Sequence, residues 1–189
     1  LRSKALQKIG NVRQDEGQLA AAMESYLAAS ELGAELLRRS PDDAEREAAY
    51  AETLNHLGNA QYFQGDRDRA LESFTRAADL LARATAERPQ DDWLEVLSSA
   101  RTNAGRVLKS RGEFETARTL YDSVVATATM LTARQPGEVR CQAGLADTHD
   151  SLGKIALEQG QLAQAIAAYR DVHRIKSELP SRSPDDRDA

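Results

Sequence analysis

The sequence predicts an all-α solenoid of antiparallel helix pairs, and three observations carry that prediction. A glycine recurs about every 48 residues, at Gly10, Gly58, Gly105 and Gly153, each with a second glycine seven residues on, at Gly17, Gly65, Gly112 and Gly160. An aromatic follows each second glycine by nine residues, at Tyr26, Phe74, Tyr121 and Tyr169, with an alanine four before it, at Ala22, Ala70, Ala117 and Ala165. A proline closes each unit: Pro41, Pro89, Pro136 and Pro184. Repeats with a period of 20 to 50 residues mark stacked units that bury their apolar faces only against neighbours.

Each unit reads as two helices. Ala70, Phe74, Ala77 and Leu81 fall three or four apart, as do Leu97, Arg101, Ala104 and Leu108, with one polar intruder. That is helical spacing rather than strand alternation. The second glycine of each unit supplies the turn, as a residue just past the helix end in the left-handed conformation. Pro41-Asp42-Asp43 and Pro89-Gln90-Asp91-Asp92 combine a helix stop with N-cap residues for the next helix. These signals place helices near 1–15, 18–39, 43–64, 66–87, 91–111, 113–134, 138–159 and 161–179. The expected organisation is one array over 1–189, with repeats near 1–41, 42–89, 90–136 and 137–184 and a frayed tail over 180–189. Nine residues precede Gly10, where later units have 15 or 16 between proline and glycine, so the expectation is a piece of a longer protein.

The first glycine of each unit sits mid-helix, where it costs about 1 kcal/mol relative to alanine. Its recurrence implies compensation: a missing side chain lets the partner helix approach closely, with the alanines facing that contact. The aromatics then fill the gap toward the next unit.

Composition excludes some classes. Hydrophobic residues make 41% of the 189, enough for a core, while aromatics make 5%, so small and aliphatic side chains carry most of the packing. The net charge of -5, with no basic stripe, argues against a nucleic-acid partner. No stretch approaches the roughly 18 apolar residues of a membrane span, so no membrane association is expected. Cys141 is the only cysteine, which precludes an internal disulfide and fits a reducing compartment; the expected location is cytoplasmic.

These marks resemble the tetratricopeptide repeat. That pattern is a helix–turn–helix with Leu-Gly, then Ala-x-x-x-Phe, then Pro, at a period near 34. Here Ile9-Gly10, Leu57-Gly58, Ala104-Gly105 and Leu152-Gly153 match the first mark, and Ala22–Tyr26, Ala70–Phe74, Ala117–Tyr121 and Ala165–Tyr169 the second. The pattern's Trp position holds Leu6, Leu54, Arg101 and His149, and its first Tyr position Arg13, Gln61, Leu108 and Ala156, which are departures. The longer period equals about 34 plus two heptads, and a heptad turns the apolar face by only about 20°. The chain thus resembles long-helix repeats of this family found in large bacterial multidomain proteins beside kinase, peptidase or ATPase domains. The resemblance implies a right-handed solenoid of about eight helices and a scaffold or sensor role.

No catalytic, cofactor or metal constellation emerges. His56, His149 and His173 are dispersed, and the glycines lie between or within helices rather than in a phosphate loop. Asp150 and Lys154, four apart, read as a surface ion pair. Trp93 at a helix start reads as packing, with a binding anchor as the alternative. The expectation is a protein that is not an enzyme.

The resemblance also implies that the first helix of each unit lines a concave groove. The residues after the first glycine are Asn11, Asn59, Arg106 and Lys154; four before these lie Gln7, Asn55, Thr102 and Asp150; three after lie Gln14, Tyr62, Lys109 and Leu157. They share one helical stripe, with amides early and cations late. The expected peptide-binding groove is therefore Gln7, Asn11, Gln14, Asn55, Asn59, Tyr62, Thr102, Arg106, Lys109, Asp150 and Lys154. Amides can bond an extended peptide backbone, and the cations suit a carboxylate. The clamp by which some members hold a chaperone's terminal carboxylate maps onto Gln7, Asn11, His56, Ser99 and Asn103, where only Asn11 fits. Two functions compete: a protein-interaction module binding a peptide or helical segment, and self-association through open solenoid ends.

Overall fold

The computed structural model describes residues 2–135 and 138–179. The marks Pro136 and Pro184 and the tail 180–189 lie outside the described residues. Eight helices occur among the described residues: α1 (Arg2–Asp15), α2 (Leu19–Arg39), α3 (Ala44–Phe63), α4 (Arg67–Glu87), α5 (Asp91–Ser110), α6 (Phe114–Arg134), α7 (Val139–Glu158) and α8 (Leu162–Glu178). The helices from α2 to α7 are 20 or 21 residues long.

The turns are set by glycine. Gly17, Gly65, Gly112 and Gly160 have φ of 76°, 88°, 78° and 71°, a region where a Cβ would be strained. At the first turn Gly17 N–H donates to Gln14 O at 2.9 Å and Gln18 N–H to Arg13 O at 2.8 Å. The same two bonds recur after α3, α5 and α7. This is the Schellman arrangement, which satisfies carbonyls the helix end leaves open. Asp43 and Asp66 cap α3 and α4, accepting from Arg46 and Arg69 N–H at 3.1 Å. The expectation of an aspartate cap fails at α5: Gln90 occupies the N-cap without a side-chain bond, and Asp91 and Asp92 lie inside the first turn. There they still favour the positive end of the helix dipole.

The chain divides into two compact units, Leu1–Leu120 and Tyr121–Ala189. In the first, each helix packs on the next from α1 to α5, and α3 also packs on α5. Its core includes Ala70, Phe74, Ala104 and Val107, with Tyr62, Leu71 and Leu120 against it. In the second, α7 packs on α8, and Ala128, Leu145, Ala146 and Ile175 form a core with Val125 against it.

The recurrent aromatics explain the mid-helix glycines. A Cβ on Gly10 would lie 2.5 Å from the Tyr26 ring, on Gly58 2.7 Å from the Phe74 ring, and on Gly153 2.9 Å from the Tyr169 ring. The ring thus lies on the glycine of its own unit, and close approach is made through it rather than through bare backbone alone. Tyr26 also reaches the next unit, stacking on His56 at 5.6 Å between centroids. A contact the sequence pattern does not announce joins α2 to α3: a Cβ on Gly33 would lie 2.7 Å from the Tyr50 ring.

Candidate functional site

The first helices of the first unit are tied side by side by polar bonds one repeat apart. Thr53 Oγ1 donates to Gln7 Oε1 at 3.1 Å, both residues buried. Asn55 Nδ2 donates to Ser99 Oγ, and Asn103 Nδ2 to Asn55 Oδ1, each at 3.2 Å. Further along the same pair of helices, the Arg106 guanidinium lies over the Tyr62 ring, 4.3 Å from its centroid. The pairs 55/103 and 62/106 make α3 and α5 parallel neighbours and bring their stripes together.

This ladder sorts the expected groove residues. Gln7 and Asn55 are buried and bonded between helices. Asn11 and Gln14 are half-buried. Their amide oxygens lie 2.9 and 3.1 Å from Tyr26 Oη, whose single proton serves one of them at a time. Burial, with Asp15 adding, holds that phenol above its ordinary pKa. Asn59, Tyr62, Thr102, Arg106 and Lys109 are all half-buried on α3 and α5. Among the described residues, the Asn59 and Thr102 side chains make no hydrogen bond, and Arg106 Nε and Nη2 are buried without an acceptor. In the second unit, Asp150 and Lys154 pair along α7 at 2.6 Å. The bond to Asp150 raises the Lys154 pKa. Leu157 is exposed.

Departures from the family pattern prove to be paired. Arg13 donates to Ser25 Oγ at 2.8 Å and to Ala21 O at 3.1 Å, and Ser73 Oγ donates to Gln61 Oε1 at 2.8 Å. The first two copies therefore replace an aromatic contact by a hydrogen bond between the two helices of one hairpin. The third copy instead carries Leu108, which is buried, and Leu120, which is half-buried against the core. The serines at 25 and 73 were a signal for this: they stand one repeat apart, as do Arg13 and Gln61.

Two recesses in the first unit lie apart from these stripe residues. The larger, about 690 Å³, is lined by Leu37, Leu71, Leu80 and charged residues of α4. Half of its charged residues are ion-paired, Arg83 with Glu47 at 2.7 Å and Arg111 with Asp68, and Arg76 lies over the Tyr50 ring. The smaller, about 400 Å³, lies among Lys4, Ala48, Glu52, Leu81, Val96 and Trp93. Trp93 is half-buried in its wall, packed yet still in contact with the recess.

Burial lowers the His56 pKa, with Glu52 opposing. His149 Nδ1 stands 3.9 Å from Asp171 Oδ2. Among the described residues no three His, Cys, Asp or Glu side chains converge on a metal-holding point, and no helix is long and apolar enough to cross a membrane.

Comparison with known proteins gives three findings. Residues 53–91 match one family profile described as tetratricopeptide repeat, and residues 146–178 match a second of the same description. No curated protein matches the sequence. Solved structures do match. The crystal structure of BtubC (BKLC) from P. vanneervenii superposes with a TM-score of 0.72 at 18% identity, over 96% of this chain and 68% of that one. The apo form of RapI gives a TM-score of 0.72 at 13% identity, over 95% of this chain and 44% of that one. The chain thus spans less than half the length of RapI. At these identities the likeness is one of fold.

Proposed function

Because this chain belongs to the tetratricopeptide repeat family, we propose that it works as a protein-interaction scaffold, binding a peptide or helical segment along its first helices. One observation carries this reading. On the stripe of the first unit Gln7, Asn11, Gln14 and Asn55 are engaged by bonds between helices, while Asn59, Thr102 and Arg106 keep polar groups uncommitted beside an aromatic ring. Half-buried, uncommitted polar groups on a rigid frame are well placed to bond a peptide backbone, because the partner restores hydrogen bonds the protein itself leaves unmade. The scaffold serves as a regulatory or sensor part of a larger multidomain protein, has no catalytic role of its own, and works in the cytoplasm.

The test is a peptide array probed with the 189-residue chain, followed by affinity measurement on the peptides that bind. The double variant Asn59→Ala, Arg106→Ala should lose at least about tenfold in affinity with its melting curve unchanged. Undiminished binding by that variant places the site elsewhere.

A second reading, self-association, is favoured by Leu162 and Ile166, four apart on α8 and 64% and 53% exposed. Apolar patches of this kind mark association surfaces. Sedimentation at several concentrations decides it: a strict monomer removes this reading.

A further inference from the structure

We propose that Arg106 is the carboxylate anchor of this groove, its Nε/Nη2 edge receiving a peptide carboxylate while Tyr62 holds the guanidinium flat. The proposal rests on the peptide-binding reading above and names the chemistry of the ligand.

Three observations converge on this residue. The first is its lack of an acceptor. Arg13, Arg46, Arg83, Arg88 and Arg111 each meet a hydroxyl, a carbonyl or a carboxylate. Arg106 meets only the ring of Tyr62, and its Nε and Nη2 are buried without an acceptor among the described residues. A guanidinium stays charged at any physiological pH, and sheltered donors left unmade are costly.

The second is which nitrogens are unsatisfied. Nε–H and one Nη2–H point the same way along one edge of the fork, at the spacing of the two oxygens of a carboxylate. A lone carbonyl would satisfy only one of them.

The third is the sign of the surface. The chain as a whole carries -5, yet Asn55, Asn59, Tyr62, Thr102, Arg106 and Lys109 include two cations and no carboxylate. The stripe is locally basic on an acidic protein, which suits an acidic segment and disfavours a basic one.

Arg106 as a whole is only half-buried. Because Nε and Nη2 are covered in the unbound protein, receiving a carboxylate requires the guanidinium to shift across the face of Tyr62. Asn59 and Thr102 then bond the peptide backbone on either side.

The carboxylate has two sources, an Asp or Glu side chain or a chain terminus, and three synthetic peptides separate them. One carries central glutamates with both ends blocked. One carries glutamines instead and a free C-terminus. One carries glutamines with both ends blocked. Each is titrated into the 189-residue chain, reading fluorescence anisotropy and the ¹⁵N-resolved Nε–H signal of Arg106.

At least one carboxylate peptide should bind about tenfold or more tighter than the neutral peptide and shift that signal. Which one does so names the source. Arg106→Lys, which keeps the charge but not the fork, should erase the advantage; Tyr62→Phe should keep it and Tyr62→Leu weaken it. If all three peptides bind equally and Arg106→Lys changes nothing, the carboxylate assignment falls while the groove reading stands. An Arg106 signal that no carboxylate peptide moves overturns the assignment as well, and the array measurement then judges the groove on its own. A phosphoserine peptide that binds where both carboxylate peptides fail also overturns it.

Discussion

Helices α3 and α7 are built from the same marks and use their variable positions differently. Each carries a mid-helix glycine beneath an aromatic ring, Gly58 under Phe74 and Gly153 under Tyr169, and each ends in a left-handed glycine, Gly65 and Gly160. At the stripe they diverge. Asn55 on α3 is buried and bonds across to Ser99 and Asn103 on α5. Asp150, the matching residue of α7, pairs with Lys154 on its own helix. One stripe is a joint between helices with a few groups left over; the other is a solvated ion pair. The repeat marks set the frame, and the residues between them decide whether a face stitches helices together or meets the solvent.

The largest test of this contrast is overpacking. Gly58→Leu drives a side chain into Phe74, which is fully buried and has nowhere to go. It should destabilise the protein by about 3 kcal/mol or more, at the upper end for overpacking. Gly153→Leu meets Tyr169, which is only half-buried and can yield, so its loss should be smaller. Urea melts of the two variants check the order; equal losses would mean that the two frames are equally tight.

Next comes the stripe itself. Asn55→Ala leaves the Asn103 amide and the Ser99 hydroxyl without their partner and should lose about 1–2 kcal/mol. Asp150→Ala removes a pair along one exposed helix face and should lose no more than about 0.5 kcal/mol. The same melts read both, and a costly Asp150→Ala would show that α7 is stitched as well.

The turns should behave alike in both copies. Gly65→Ala and Gly160→Ala each place a Cβ in open space but at positive φ, so strain alone acts. Each should lose about 1 kcal/mol. A difference between them would mean that the neighbourhood, rather than the backbone conformation, governs the turn.

The smallest effect is pH-dependent and belongs to α3 alone. Burial lowers the His56 pKa below its ordinary 6.5, so the unfolded chain binds the proton more readily than the folded one. The resulting stability is fully present above pH 6.5 and declines as pH falls from there through the lowered native value. In the fourth copy the matching residue is Ser151, which does not titrate. His56→Leu should flatten the melting temperature between pH 7 and pH 5.5 relative to the parent; an unchanged slope would assign it to carboxylates instead.

Much of the frame was legible beforehand. All eight expected helices agree with the observed ones to within one residue at each end, because most boundaries carried a local signal: a glycine at positive φ, an aspartate cap or a proline. The α5 start shows the limit: Asp91 and Asp92 read as caps, and both lie inside the first turn with Gln90 at the N-cap. The candidate site was legible as a stripe and no further. Periodicity along one helix shows which residues share a face, but Gln7 and Asn59 look equivalent by that criterion. One is sealed against Thr53 and the other is unbonded because of which residue the neighbouring helix presents opposite each.

The sequence by itself determined the helix pairs, their length and their turns. Each of these depends on residues close along the chain or on a mark repeated in every copy. Only the tertiary structure decided which polar groups are consumed. Bonds such as Thr53–Gln7, Asn55–Ser99 and Asn103–Asn55 join residues 46, 44 and 48 apart, so they depend on the register between neighbouring helices. That register sets Asn55 of α3 against Ser99 and Asn103 of α5, and it leaves Arg106 on the face of Tyr62 with two donors unmatched.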